Sequence, residues 1–482
     1  MALLLALWLG CTAGPDAPVA LQPAADAPPP AAVPAPRPAP AGPRPDIVLV
    51  VIDTLRADRT GPGGHARGTT PALDALAARG LRFTRAYAQS SWTLASFTSL
   101  FTGLYPHQHR VVRDTADATR FGCLPPARTT VAEALGAVGY RTGAWLNNTF
   151  LAPEFGLQQG FGVYDFAGAT NERHRSAPAT VDAALAWLAA DPATPAFAVL
   201  HFMEPHLDYA APPPFRGRFA DPAGPGGVPV PMGAVQTGAH TPTDVEKRWL
   251  QDRYDEEVAA ADDGLARLVD GLRAAGRLDR TLLVVTSDHG EEFWEHGGFE
   301  HGHALWSEVT RVPLVAAGPG LPVATVDTVV EHVDLVAGLL ARAGATPPPE
   351  APGQDLFAVA AAPPVLRVAL SENCLYGEPC LSLVSPTERL FFHPGTGKGQ
   401  VWSLGPTGAE AARLPPDREA EAGPRLLGWL DAKRGGLAPL AAAAGPQVPS
   451  FEVFEQLAAL GYVREPAPEG GPAPGATPCG GG

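Results

Sequence analysis

Four apolar runs end in residues that can do chemistry. I-V-L-V-V-I stops at Asp53, and T-L-L-V-V-T-S stops at Asp288-His289. A-F-A-V-L-H-F-M leads into Glu204 and His206, and Y-R-T-G-A-W-L ends at Asn147 and Asn148. A single Asp after a strand is ordinarily a turn or cap residue. Several carboxylates and an imidazole at neighbouring strand ends form instead a donor set for a divalent cation. His289, His296, His301 and His303, four of the 13 histidines, crowd the segment that follows Asp288. Imidazole there can act as ligand or as proton donor near neutral pH. A hydroxyl comes from S-S-W-T-L-A-S-F-T-S-L-F-T-G, residues 90–103, where Gly103 suits a helix C-terminus and the helix should begin near Thr93. Thr93 then sits at the positive end of the helix dipole, and a neighbouring cation would stabilise its alkoxide. Read by itself, the segment fits Thr93 first as a plain N-cap.

The elements that must position these residues alternate. The uninterrupted β-branched runs predict strands buried on both faces of a parallel sheet. Thr70-Pro71 opens a helix that Gly80 stops, and residues 245–275 carry an apolar stripe of Trp249, Val258, Leu265, Leu268 and Leu272. The fold class expected is α/β, a large mostly parallel sheet sandwiched by helices, with ligands bound beyond the carboxyl ends of its strands.

Composition limits the alternatives. The chain has 482 residues, 45% hydrophobic and 18% charged, which excludes a wholly disordered protein. A net charge of −15 argues against a nucleic-acid partner. Lys247, Lys398 and Lys433 are the only lysines. Residues 1–11 read as a lipoprotein-type signal: an apolar run too short to span a bilayer, then Gly10-Cys11, with Cys11 the lipidation site. Trp8 is bulky for that signal and no basic residue precedes the run. Residues 12–45 are Pro/Ala-rich and predict an extended tether, and 465–482 a disordered tail. Between them lie a catalytic domain at 46–360 and a smaller subdomain at 361–464. Cys374 and Cys380 could close a small disulfide loop. These ends predict an exported protein of a bacterial envelope, held to the membrane by lipid.

Several motifs together resemble the sulfatase branch of the alkaline phosphatase superfamily: D-I-V-L-V-V-I-D-T-L-R-A-D-R, T-P-A-L-D-A-L-A-A-R-G-L-R-F, S-L-F-T-G-L-Y-P-H-Q-H, T-S-D-H-G-E-E-F-W-E-H-G and S-E-V-T-R-V-P-L. The resemblance runs in order from about residue 45 to 355 and extends to the ending F-E-Q-L-A-A-L-G-Y-V. It implies a metal-dependent ester hydrolase with a smaller, antiparallel C-terminal α+β subdomain. The implied metal ligands are Asp53, Thr93, Asp288 and His289, and the implied catalytic residues Thr93, His206 and His303. Asn147, Glu204 and His301 are further candidates for ligands or substrate contacts. His289 replaces the Asn usual in calcium sulfatases, which favours Zn²⁺ or Mn²⁺ over Ca²⁺, as one ion or two. Thr93-Leu94-Ala95-Ser96-Phe97 replaces the Cys/Ser-x-Pro-Ser-Arg of sulfatases, so Thr93 would stay unmodified. The two lysines that clamp sulfate in the family are missing. Phosphate or phosphonate esters are therefore favoured over sulfate esters, on a small-molecule, glycan or lipid substrate. A phospho-group transferase, or a catalytically dead surface-anchored binding protein, stands as the alternative.

Overall fold

The computed structural model describes residues 19–20, 44–168, 174–377, 379–435, 446–460 and 462–463. Cys11, most of the 12–45 tether and the 465–482 tail lie outside them. The large sheet uses β1 (Asp46–Ile52), β2 (Leu81–Tyr87), β3 (Arg141–Leu146), β4 (Val163–Phe166), β5 (Ala196–Phe202), β6 (Thr281–Thr286), β7 (Arg311–Ala317) and β8 (Ala324–Val326). Their order is β8-β2-β7-β6-β1-β5-β3-β4, and the short β9 (Val330–Glu331) also pairs with β2. The four strands expected from apolar runs, β1, β3, β5 and β6, lie side by side and parallel. β7 runs antiparallel to both of its neighbours.

Register does the positioning. β1 pairs Val51 with Thr286 on one side and with His201 on the other. Two residues further along, Asp53 is therefore level with Asp288. The period-2 alternation of β1 sends Ile47, Leu49 and Val51 to one apolar core and Val48, Val50 and Ile52 to the other. Both cores are covered by helices, which is why the run reads as apolar throughout.

Helix α1 (Pro71–Ala77) begins after Thr70, but the Thr70 side chain makes no capping hydrogen bond. Asp262 caps it across space, accepting from the Ala72 and Leu73 amides at 2.8 and 3.0 Å. Helix α2 (Thr93–Thr102) starts at Thr93 and ends on Gly103 at φ 72°, the left-handed conformation glycine adopts without strain. All ten of its residues are buried. Helices α3 (Ala177–Ala190) and α4 (Asp244–Ala274) cover one face of the sheet, α4 opening with a Thr243/Glu246 capping box. Helix α5 (His332–Ala343) packs with α2 on the other.

A second, antiparallel sheet is built from β10 (Ala369–Glu372), β11 (Leu381–Val384), β12 (Glu388–His393), β13 (Lys398–Leu404) and β14 (Glu410–Arg413). Helix α6 (Pro416–Gly435) packs against it through Leu426, Leu427 and Leu430. Val19–Ala20 of the tether pairs with β13. Cys374 and Cys380 form a disulfide beside Asn373. The Asn373 carbonyl accepts from Ser90 Oγ (2.8 Å), and its side chain accepts from Trp92 Nε1 (2.9 Å). The disulfide loop thus braces the turn that enters α2.

Helix α7 (Phe451–Ala459) leaves this smaller layer and returns to the large core, where Val453, Phe454, Leu457 and Tyr462 are buried. Truncating Phe454, which is 1% exposed, should open a cavity in that core. Phe454→Ala is expected to lower stability by about 3–5 kcal/mol in urea denaturation, whereas a helix merely resting on the surface would lose under about 1 kcal/mol.

Candidate active site

The sharp turn after β1 is fixed from several sides. Thr54 adopts φ 55°, a left-handed conformation rare for a β-branched residue. Its carbonyl accepts from Tyr254 Oη (2.7 Å), the Leu55 amide donates to Ser287 Oγ (2.9 Å), and the Arg56 amide donates to Tyr254 Oη (2.9 Å). This conformation aims the Thr54 amide at Asp288 Oδ1, 3.3 Å away. The His289 amide donates to the same oxygen at 2.9 Å.

Asp53, Thr93, Asp288 and His289 are all fully buried, and Asp53, Asp288 and His289 bring their ligand atoms within 4.8 Å of one another. His289 Nδ1 donates to the Gly290 carbonyl (2.9 Å), so Nε2 carries the lone pair. That nitrogen lies 3.8 Å from Asp53 Oδ1, 3.4 Å from Asp288 Oδ2 and 3.4 Å from Thr93 Oγ1. Asp53 Oδ1 and Asp288 Oδ2 are buried and accept no hydrogen bond. Two orphaned carboxylate oxygens and a bare imidazole nitrogen facing one point fit a divalent cation, because only a positive charge or a proton offsets their desolvation.

The electrostatics agree. Burial raises the Asp53 carboxyl, but His201 and the other imidazoles outweigh it and hold the group below the usual carboxylate range. Burial, and then the Asp53 charge, push Asp288 up to about 7. Without a cation, the second carboxylate of the pair keeps its proton near neutrality.

Asn148 and His201 complete the centre. Asn148 Nδ2 donates to Asp53 Oδ2 at 2.8 Å and lies 3.3 Å from Thr93 Oγ1. His201 Nδ1 accepts the Asn147 amide (3.3 Å), so Nε2 bears the proton, 3.2 Å from Asp53 Oδ2. Phe97 packs edge-on against the His201 ring at 5.2 Å, an apolar contact. Further out, His206 Nε2 and His301 Nε2 lie 2.6 and 3.2 Å from Tyr462 Oη, and the His301 ring lies 4.5 Å from that of His289. His301 Nδ1 faces Glu291 at 2.8 Å, and burial, then His206, push His301 down to about 3, keeping it neutral.

Three candidate residues are placed elsewhere. Asn147 points away from Asp53, its amide donating to Thr180 Oγ1 (3.0 Å) and its Oδ1 accepting from Arg175 Nε (3.0 Å). The alternation of an extended segment puts its neighbour Asn148 on the Asp53 side instead. Glu204 accepts from the Ala177 amide (3.3 Å) at the start of α3 and faces His174 (3.6 Å). His303 pairs with Glu292 (2.8 Å). A second set of metal-capable groups, Glu292, His296 and Glu308, is closed on itself: Glu292 accepts two amides and His303, while His296 holds Glu308 and stacks on Trp306. His107 and His109 bond to Glu372 and Ser99 within the helix–turn region. Sequence reasoning missed His201 and Tyr462. A histidine inside the apolar run A-F-A-V-L-H-F was a signal for the first, and Tyr462 had none besides its position in the C-terminal motif.

The Sulfatase family pattern matches residues 45–345. The uncharacterized sulfatase YidJ of Escherichia coli (strain K12) is 24% identical over 370 residues, 66% of this chain and 71% of that one. Among solved structures, a 2-O GAG sulfatase superposes with a TM-score of 0.67 at 18% identity, covering 82% of this chain and 92% of that one. The phosphonate monoester hydrolase of Agrobacterium radiobacter gives a TM-score of 0.65 at 21% identity, covering 81% and 95%.

Metal binding offers the direct check on the cluster. Asp288→Asn and His289→Ala should each lose stoichiometric metal in elemental analysis, whereas Glu308→Gln, in the self-closed set, should retain it. Because the Asp288 carboxyl holds a proton up to about pH 7, a cation must displace that proton. Affinity should therefore fall as pH drops through 7 and level off above it. A flat affinity between pH 6 and 8 would refute the pairing of these carboxylates.

Proposed function

The chain belongs to the sulfatase family, and on that premise we propose that it is a metal-dependent ester hydrolase whose nucleophile is Thr93, unmodified. The observation that carries this reading is the Thr93 hydroxyl itself. It stands at the N-terminus of α2, 3.4 Å from His289 Nε2 and 3.3 Å from Asn148 Nδ2, beside the orphaned carboxylate oxygens. Asp53, Asp288 and His289, with the Thr93 hydroxyl, would hold the cation, and the imidazole favours Zn²⁺ or Mn²⁺ over Ca²⁺. When bound, such an ion supplies Lewis-acid stabilisation to an alkoxide and to the oxygens of the ester.

The remaining work falls to the chain's own residues. Asn148 donates toward Thr93 Oγ1 and so favours its deprotonated form. Trp92 contributes no capping side chain, which leaves the first amides of α2 to face an anionic ester group. The Thr93 hydroxyl proton passes to solvent, Thr93 Oγ forms a bond to phosphorus or sulfur as the ester bond to the alcohol breaks, and His206, beside Tyr462, gives a proton to the departing oxygen and regains it from the water of the second step. Water then cleaves the threonine ester and releases the inorganic or phosphonic acid. No lysine serves this centre: Lys433 pairs with Glu331 and Lys247 lies over Trp294. Imidazoles and amides take the place of a lysine clamp, which favours a phosphate or phosphonate ester over a sulfate ester. Export and a lipid anchor at Cys11 belong to the same proposal, resting on the Gly10-Cys11 signal and the Pro/Ala tether. The substrate would then be an ester of a small molecule, glycan or lipid met at the cell envelope.

Substitution at Thr93 separates this mechanism from attack by a free water. Thr93→Ala should keep the fold and most of the metal while turnover on the best member of a panel of phosphate, phosphonate and sulfate esters drops by about 10⁴–10⁶-fold. Thr93→Ser should retain measurable activity, because the hydroxyl remains. Near wild-type turnover in Thr93→Ala would overturn the covalent route.

A further inference from the structure

Away from the Thr93 centre, two arginines line a cavity of about 180 Å³ without a bonding partner. Arg311 opens β7 and is only 6% exposed, and Arg82 lies half-buried across the β2–β7 pairing. The Nε of each is buried and makes no hydrogen bond, and among the described residues neither side chain forms an ion pair. Of the five donors of a guanidinium, the buried Nε–H of each goes unmet, and an unmet donor inside a protein is costly.

The neighbouring carboxylates are already engaged. Arg56 takes both oxygens of Asp58, at 2.9 and 2.8 Å. Asp327, which also lines the cavity, is engaged through Oδ1, which accepts from Arg85 Nε (2.9 Å) and Thr84 Oγ1 (2.5 Å). Asp58 still reaches Arg311 through its field, with no hydrogen bond between them. The other walls are largely apolar, Pro62, Phe83, Pro313 and Leu314 among them, with Thr60 and Thr407 adding hydroxyls. Apolar walls strengthen any charge interaction made inside.

We propose that this cavity is an anion site, taking a tetrahedral oxyanion such as inorganic phosphate or sulfate between Arg82 and Arg311. The planar fork of a guanidinium matches two oxygens of such an ion, and two guanidinium groups lining one small cavity favour it over a monovalent halide. None of the lining residues belongs to the Asp53–Thr93–Asp288–His289 group, so the site stands whether or not the hydrolase reading does.

The test is isothermal titration of the metal-loaded, full-length protein with inorganic phosphate and, separately, inorganic sulfate. The Asp288→Asn variant serves as a background in which the catalytic centre is disabled. At least one of the two ions should bind in both proteins, and Arg82→Gln should weaken that binding about tenfold or more, the scale of one lost charge-assisted hydrogen bond. Ester turnover by Arg82→Gln should match wild type. Arg311→Gln is the companion variant. Should it misfold, the half-buried Arg82 position carries the test alone. Equal affinity and stoichiometry in wild type and Arg82→Gln, or no binding of either ion in the Asp288→Asn background, would overturn the proposal.

Discussion

Two carboxylates buried side by side dominate this molecule. Asp53 and Asp288 are both fully enclosed, and each keeps one oxygen without a hydrogen bond. Like charges in a medium of low polarity repel strongly and lose their hydration as well, so the pair is tenable only with a proton or a cation between them. The neighbours make sense as responses to that constraint. His201 Nε2 lies 3.2 Å from Asp53 Oδ2, Asn148 bonds the same oxygen, and the amides of Thr54 and His289 converge on Asp288. Each contact fixes one carboxylate oxygen and leaves the other aimed at the shared point.

Strain is tolerated where it serves that convergence. Thr54 keeps a left-handed backbone because Tyr254 and Ser287 hold the turn on both sides. The long helix α4 supplies Tyr254 and, a little over two turns further on, Asp262, which caps α1. A single element thus ties the turn after Asp53 to the helix behind it. On the opposite face, the disulfide loop at Cys374–Cys380 holds the entry to α2 through Asn373, and so fixes the height of Thr93 relative to the carboxylates.

Aromatic and imidazole groups fill the rest of the site. Phe97 stands against His201 as packing, and the imidazoles of His206 and His301 share the hydroxyl of Tyr462. Tyr462 follows α7, whose apolar face is part of the large core. The last described stretch of the chain therefore contributes a group to a centre whose other members lie between residues 53 and 301.

The types of residue at the ends of apolar runs were enough to find Asp53, Asp288 and His289, because a β-branched run buried on both faces leaves its carboxyl end as the place where polar groups emerge. The Thr93 helix was legible too, since Gly103 marks its end and the hydroxyl its start. Those features are local, and local chemistry is written in sequence. Facing is not. Whether Asn147 or Asn148 meets Asp53 depends on a one-residue alternation that only the paired register of β3 and β5 decides. Glu204 and His303 carried the right chemistry but found closer partners in the α3 amide and Glu292. His201 and Tyr462 became visible only once strand pairing and core packing brought distant segments within hydrogen-bonding range, because such contacts are set by the three-dimensional path of the chain and leave no periodic mark along it.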